Sequence, residues 1–468
     1  MILTKLQLDN FRCFESVCLE LDPQLNVFIG GNGSGKSSLL DAVALSLGPV
    51  LSHLPELKGP GLSRSDIRLV AEDRQAPFAR VWVEAEQAGL QKFSWDAETA
   101  KDFNDALEQA GPTRFGWDRI YRRDKAKETS LALPKNARGL KELHEWLDDI
   151  LSQHESEQPF TLPVFAHYGT NRAVDVPHNA TQARKRKSFQ RLDALLGALE
   201  PNANFKRAVA WFEQLENQEL RQSKGAAKSS LEVVRRAIEQ MLPGIKNPRM
   251  DAEDTRRFVV DSKNSDGVMV KLFLDQLSDG YQVVLGMVLD FALRLVRANP
   301  EHPDPLRTQA IMIVDEVDLH LHPEWQQHVI PDLLRTFPGT QFVLTTHSPQ
   351  VVSTVRRQFV RRLVDYQVVE LPTEIIGAES GRVLVDAFDV PMRPRGLPEV
   401  KALEEYIELS ESPHANPATL DEKHKEVLDT FTRDEPAIGL SEMARAHRQL
   451  LAGMKLELPV IPAPSDEE

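Results

Sequence analysis

Residues 30 to 37 read GGNGSGKS and match G-x-x-x-x-G-K-[ST] at every fixed position. Glycines in such a loop let the backbone bend until successive N–H groups face a polyphosphate. Lys36 can reach the β and γ phosphates, and the Ser37 hydroxyl can bind Mg²⁺. Residues 309 to 318 read QAIMIVDEVD, an apolar run that delivers Asp315 and Glu316 at its end. Asp315 suits the Mg²⁺ shell through water, and Glu316 suits polarising a water aimed at the γ phosphate. His347, in TQFVLTTHSPQ, follows another apolar run and can hydrogen-bond the γ phosphate and sense its presence; the plainer alternative is a structural His capping the next segment. Leu277-Ser278-Asp279-Gly280 opens a long apolar helical pattern, a second helix start at which an anion can rest. One nucleotide needs one phosphate loop, so the second start points to a γ phosphate gripped from another molecule; the alternative is an ordinary cap by Ser278 or Asp279.

These residues need strands that end together. LNVFIG before the loop is a buried-strand pattern, and SSLLDAVALSLG after it has helical spacing with Gly48 as its stop. The runs before Asp315 and His347 are strands of the same kind, and open α/β sheets bind ligands at such C-terminal edges. The predicted class is therefore α/β, a mixed sheet around the phosphate loop. ILTKLQLDNF and SVCLELDPQLNVFIG alternate like strands of a half-exposed sheet, an antiparallel β subdomain. PFARVWVEAEQAGLQKFSW predicts a hairpin turning near Ala88-Gly89. RRFVVDSKNSDGVMVKLFL predicts another, turning at Asp266-Gly267. The expected organisation is 1–95 for the first part of the head, 96–160 for a polar helical insertion, 161–187 for a strand and loop, 188–250 for a helical lobe, 251–370 for the second part of the head, and 371–468 for a helical extension. PEVKALEEYIELSE and TLDEKHKEVLDTFTRD are helical within that extension, and PVIPAPSDEE is expected to be disordered.

The 468 residues carry a net charge of −14, which argues against indiscriminate binding to nucleic acid or anionic membrane but leaves room for a local basic groove. Cys13 and Cys18 fall on one strand pattern and are expected to be packing residues. With no signal-peptide pattern and no long apolar run, the expectation is a soluble, cytoplasmic protein without membrane contact.

The whole set resembles the ABC-type ATPase head: the phosphate loop, an LSGGQ-like signature at 277 to 282, the DE strand and the switch histidine. Asn32 and LDNFRCFE resemble the RecF/SMC branch. PVFAHYGTNR, RLDALLGALEPNANFKRAVAWFEQLE, QLSDGYQ and DEVDLHLHPEWQQ are together similar to the stand-alone ATPases of Septu and retron-associated antiphage defence, which work with a separate HNH nuclease. The resemblance implies an ABC-ATPase head that uses ATP and Mg²⁺. Gly30, Asn32, Gly33, Ser34, Gly35, Lys36, Ser37 and Ser38 would hold the nucleotide, Ser37 and Asp315 the metal, and Glu316 and His347 would be catalytic. It implies a head-to-head dimer, in which Ser278 and Gly280 of one head contact the γ phosphate held by Lys36 of the other, with Asp318 in the dimer-contact loop. The loop after LPVFAHYGT falls where that family places a Mg²⁺- and water-contacting loop, often with a Gln; here Tyr168, Asn171 and Arg172 are the candidates. Asp279 replaces the usual second-position Gly of the signature, and an anion beside a γ phosphate costs energy unless it points away, so Asp279 is expected to cap the helix. Arg12 and Phe14 are candidates for the adenine platform.

No long heptad-patterned arms occur between Lys36 and Asp315. Basic clusters occur at RFGWDRIYRRDKAK, ARKRK and RRQFVRR, and the first interleaves aromatics with cations in a way that suits single-stranded nucleic acid. No HNH pattern or nuclease-like acid cluster appears, so a nuclease would be a separate chain, for which residues 396 to 435 are the docking candidate. The expected function is an ATP-binding and ATP-hydrolysing switch that dimerises through ATP and regulates such a nuclease. The alternatives are a RecF-like DNA-repair ATPase and an ATP-stabilised, non-hydrolytic scaffold.

Overall fold

In the computed structural model, the strands in chain order are Ile2–Phe11 (β1), Phe14–Glu20 (β2), Leu25–Gly30 (β3), Leu69–Ala71 (β4), Arg74–Gln75 (β5), Phe78–Gln87 (β6), Thr113–Arg122 (β7), Val164–Tyr168 (β8), Ile245–Met250 (β9), Phe258–Lys263 (β10), Met269–Phe273 (β11), Ala310–Val314 (β12), Thr340–Thr345 (β13), Val360–Val364 (β14) and Gln367–Glu370 (β15). The structure describes residues 1–71, 74–87, 113–123, 139–156, 160–170, 191–201, 205–221, 230–251, 257–263, 267–412, 415–431 and 435–453.

Two patterns of hydrophobicity make two kinds of sheet. Every residue of β3, β8, β12 and β13 is buried, as strands covered on both faces must be. They lie in a six-stranded sheet ordered β15-β14-β3-β13-β12-β8, parallel except for β15 at one edge. β1 and β6 instead alternate, with Leu6, Leu8, Val81 and Val83 inward. They belong to an antiparallel sheet ordered β2-β1-β6-β7. The buried Gln341 ties the two sheets. It donates to Leu3 O at 2.7 Å and Asp22 O at 2.8 Å, and accepts from Leu3 N at 2.8 Å.

The chain divides into two compact units, Met1–Phe388 and Asp389–Glu468. In the first, helix Asp279–Ala298 is apolar almost all round and buried along most of its length, as a central core helix must be. It packs on helices Phe205–Arg221 and Ser230–Met241 and on β8. These two helices fall within the expected helical lobe of 188–250, but its end, Ile245–Met250, is the strand β9; the expected hairpin is formed by β10 and β11, with Gly267 at φ +77°. In the second unit, helices Pro398–Glu411, Pro417–Thr430 and Pro436–Gly453 enclose Leu403, Tyr406, Leu420, Val427 and Ile438. The last of these helices lies within the expected helical extension, beyond the two patterns named for it.

Three further expectations need correction. The strand that returns on β6 is β7, with Gln87 opposite Thr113, not a segment just after Ala88-Gly89. Residues 88–112 lie outside the described residues. Second, 113–122, expected to be helical, is a strand, and Trp117 in its RFGWDR stretch is wholly buried, donating to Ser46 O at 2.8 Å. That aromatic is core and offers no stacking face to nucleic acid. Third, Cys18 is exposed and Cys13 half-buried in the turn after β1, so only Cys13 does any packing. The cluster ARKRK, Asn171, Arg172, Asp266 and the PVIPAPSDEE end fall outside the described residues.

Candidate functional site

β3 carries the phosphate loop to the C-terminal edge of the parallel sheet, and glycine is required there for steric reasons. A Cβ on Gly30 would sit 2.7 Å from Leu363 O, and one on Gly35 would sit 2.7 Å from the Phe14 ring and 2.8 Å from Cys13 Sγ. Gly33 and Gly35 hold φ of +76° and +102°, which side chains disfavour. Helix Lys36–Ser46 follows directly, so its N-terminal N–H groups face the loop. Asn32, Gly33 and Ser37 are exposed, Ser34 and Ser38 half-buried, and Lys36 buried. The Lys36 Nζ donates to Gly30 O and Gly31 O, both at 2.9 Å. Burial lowers its pKa, while Asp315, Glu316 and Asp318 act to raise it.

β12 and β13 bring the remaining groups to the same edge. Ser37 Oγ donates to Asp315 Oδ2 at 2.7 Å, and Thr345 Oγ1 donates to Asp315 Oδ1 at 2.5 Å. Thr345 Oγ1 also accepts from Glu316 N at 2.7 Å. Glu316 itself adopts φ +50°, an uncommon conformation for a side-chain-bearing residue, and the bond to Thr345 helps to hold it there. Asp318 accepts from Thr346 Oγ1 at 2.6 Å and His347 N at 3.4 Å, which fastens the strand end that carries His347. Ser348, not His347, caps the next turn, accepting from Gln350 N and Val351 N. Burial, with Lys36 second, lowers the His347 pKa, against Asp318, Glu316 and Asp315. The imidazole therefore shares one electrostatic neighbourhood with Lys36 and the acidic strand end.

The strand β8 corrects the reading of the water-contacting loop. Tyr168 is buried and donates to Asp290 Oδ2 at 2.9 Å, on the side of helix Asp279–Ala298, where Asp290 also pairs with Arg294 at 2.7 Å. It is therefore not available to a ligand at the sheet edge. Alternation turns His167 the other way. His167 is 4% exposed, and its Nδ1 is buried without a hydrogen-bond partner. Burial lowers its pKa, against Asp41 of the loop helix and Asp315. Sequence reasoning passed over His167; its place one residue before a strand end was the available signal.

The adenine-platform candidates also change. Phe14 is wholly buried behind Gly35, and Arg12 is engaged by Asp41 at 2.5 Å and Asp66 at 2.9 Å. The exposed aromatic beside them is Tyr366, in the β14–β15 turn, 42% exposed and edge-on to Phe14 at 6.4 Å between ring centres. At the signature, Ser278 occupies the N-cap position with no side-chain capping bond, and Asp279 lies in the first turn; both are exposed. Asp279 is thus not the capping residue. Gly280 is buried, and a Cβ there would lie 2.5 Å from His320 O.

The residues present fit a Mg²⁺ ion. Ser37 and Asp315 pair hard oxygens at the sheet edge, and Ser34 Oγ and His167 Nδ1 are buried polar atoms without partners. Among the described residues no cluster of three or more His, Cys, Asp or Glu side chains could hold a metal by itself. An ion here would take its other ligands from phosphate and water, as Mg²⁺ commonly does.

Phosphate loop, acidic strand end and parallel sheet define an ABC/SMC-like ATPase head. The chain belongs to the AAA domain family, whose model matches residues 5–246. A second model, a protein of unknown function (DUF2813), matches residues 183–379. The chain is 26% identical over 464 residues to the retron Ec83 probable ATPase of Escherichia coli, spanning 86% of this chain and 79% of that protein. It is 36% identical over 76 residues to the Septu protein PtuA of Bacillus mycoides (strain KBAB4), 16% of this chain and 10% of that protein. The SMC head domain from Thermotoga maritima aligns with 80% of this chain and 100% of its own, at 16% identity and a TM-score of 0.42. No helix among the described residues is long and apolar enough to cross a membrane.

Proposed function

We propose that this chain binds and hydrolyses ATP as one half of a head-to-head pair, and that the cycle regulates a separate HNH-type nuclease in antiphage defence. The observation that carries the chemistry is the convergence of Lys36, Ser37–Asp315, Glu316 and His347 at the ends of three neighbouring parallel strands. The defence setting rests on the retron ATPase, aligned across most of both chains.

The loop N–H groups from Gly30 to Ser38 cradle the phosphates. Lys36 exchanges the carbonyls of Gly30 and Gly31 for phosphate oxygens. Mg²⁺ held by Ser37 and Asp315 supplies charge that offsets the phosphates. Glu316 accepts a hydrogen bond from the attacking water and orients it, and His347 donates to the γ phosphate. Ser278 and Gly280 of the second head close over that phosphate, the helix start that Ser278 exposes favouring an anion. Tyr366 offers the base a stacking face.

His167 is assigned as a positioning residue, ordering the water around the metal from beneath Asp315. Groups in that position commonly contribute about 10- to 100-fold to metal affinity. His167→Ala is expected to raise the Mg²⁺ concentration needed for binding of a fluorescent ATP analogue by about tenfold. His167→Gln, which keeps a donor and an acceptor, should recover most of that loss. An unchanged Mg²⁺ requirement in His167→Ala would remove the residue from this role.

Co-purification tests the function as a whole. The tagged chain, expressed with its native genetic neighbours and isolated with and without ATP, should bring down an HNH-type nuclease in stoichiometric amount. Isolation alone, or with DNA and replication proteins, would defeat the defence reading. A RecF-like repair ATPase would instead show DNA-stimulated hydrolysis that falls steeply with salt.

A further inference from the structure

Trp117 and Arg119 lie on one face of β7, opposite the buried Val83 and Val81. Trp117 fills that inner layer, as an aromatic should. Arg119 brings a cation into the same layer. Among the described residues no carboxylate or other acceptor pairs with it, and burial alone lowers its pKa. Asp118, on the opposite face of the strand and wholly buried, is by contrast paired with Arg80 at 2.9 Å. Arg119 is half-buried, and a guanidinium partly withdrawn from water without a counter-charge is a costly arrangement that an anion would relieve.

The surroundings are shaped to the guanidinium. Cβ atoms on Gly48 and Gly61 would lie in ordinary contact with it, 3.5 Å from Nη1 and 3.4 Å from Nη2, so the guanidinium runs beside the backbone at both glycines. Arg119 lines a cleft of about 310 Å³ together with Ser52, His53, His144 and Leu140. The two imidazoles stack at 4.2 Å between ring centres with planes 16° apart. His53 Nε2 is fixed by the exposed Asp148 at 2.6 Å, and Ser52 Oγ accepts from Gly59 N at 3.2 Å, leaving its own hydrogen free to donate. None of these residues belongs to the hydrolysis site.

We propose that this cleft binds a phosphate group, taken by the Arg119 fork with His144 and the Ser52 hydroxyl as further donors. A carboxylate would use the fork and leave the other donors idle; a tetrahedral dianion uses all three. The volume lies at the lower end for small-ligand sites. It suits a nucleoside monophosphate or the phosphorylated end of a single strand, not a duplex.

The test is calorimetric titration of the Lys36→Ala chain, whose phosphate loop is disabled, against the same chain carrying Arg119→Gln. The probes are inorganic phosphate, AMP, and one short oligonucleotide with either a 5′-phosphate or a 5′-hydroxyl. At least one phosphate probe should bind at least tenfold more tightly when Arg119 is present. Preference for AMP identifies a free nucleotide as the source, and preference for the 5′-phosphate over the 5′-hydroxyl strand identifies a strand end. His144→Ala, on a half-buried helix position, should weaken the same probe and guards against misfolding of the arginine variant. Equal binding to all the proteins, or no binding to any, overturns the proposal.

Discussion

Lys36→Ala is expected to cut ATP hydrolysis by about 10²- to 10³-fold, the usual cost of removing one preorganised donor from a developing anion. The change should spare the fold. Among the described residues, Lys36 Nζ is bonded to Gly30 O and Gly31 O alone, and Gly31 is exposed, so water can replace the ammonium there. The melting temperature without nucleotide should therefore stay close to that of the parent. With ATP present the two proteins should separate, because a ligand at about a hundred times its Kd stabilises the folded state by about 2.7 kcal/mol, and the variant forfeits much of that. Thermal melts with and without ATP·Mg²⁺, alongside phosphate release, check both halves. A variant that hydrolyses ATP at the parent rate would show that the loop is not the catalytic phosphate site.

Glu316→Gln separates binding from turnover. The amide is isosteric, the Thr345 bond is made to the backbone N of residue 316, and the φ of +50° is a backbone property that the exchange does not address. What changes is the capacity to accept a proton from water. Loss of a positioned general base typically costs about 10²- to 10⁴-fold. Turnover should fall by that factor while ATP affinity stays within about twofold, since the interaction lost belongs to the transition state. With ATP no longer consumed, the paired heads should persist, visible as a doubled mass by light scattering in ATP but not in ADP. Near-parent turnover would move the base elsewhere. Lost ATP binding would mean that Glu316 holds the ground state.

The sequence made the phosphate loop, the DE strand end and His347 legible because each is local. Their roles are written in a glycine spacing or in an apolar run that stops at a polar residue, and parallel strands must align such stops. What it hid depends on partners distant in the chain. β7 pairs with β6 across residues 88–112, so its alternation reads locally as a helical, cation-rich segment, and only the pairing of Val83 with Trp117 makes it a strand. At the end of β8 the sequence offers both His167 and Tyr168, and only the position of Asp290 on the long helix shows that Tyr168 turns away. Tyr366 comes beside Phe14, which backs Gly35, from far down the chain because β14 lies beside β3, with Leu363 opposite Gly30. Phe14 lost its proposed role for a steric reason, since it is the wall against which Gly35 must be a glycine.

The central claim is that one γ phosphate is gripped by two chains, and complementation tests it most directly. Lys36→Ala disables the loop of its own head, and Ser278→Arg, at an exposed helix start, blocks the surface that head offers to its partner. Each variant alone should be inactive. Mixed in equal amounts, half of the pairs would hold one intact composite site, so phosphate release should recover to about a quarter of the parent rate. A mixture no more active than the separate variants, or a Ser278→Arg chain with parent activity by itself, would contradict the two-sided site.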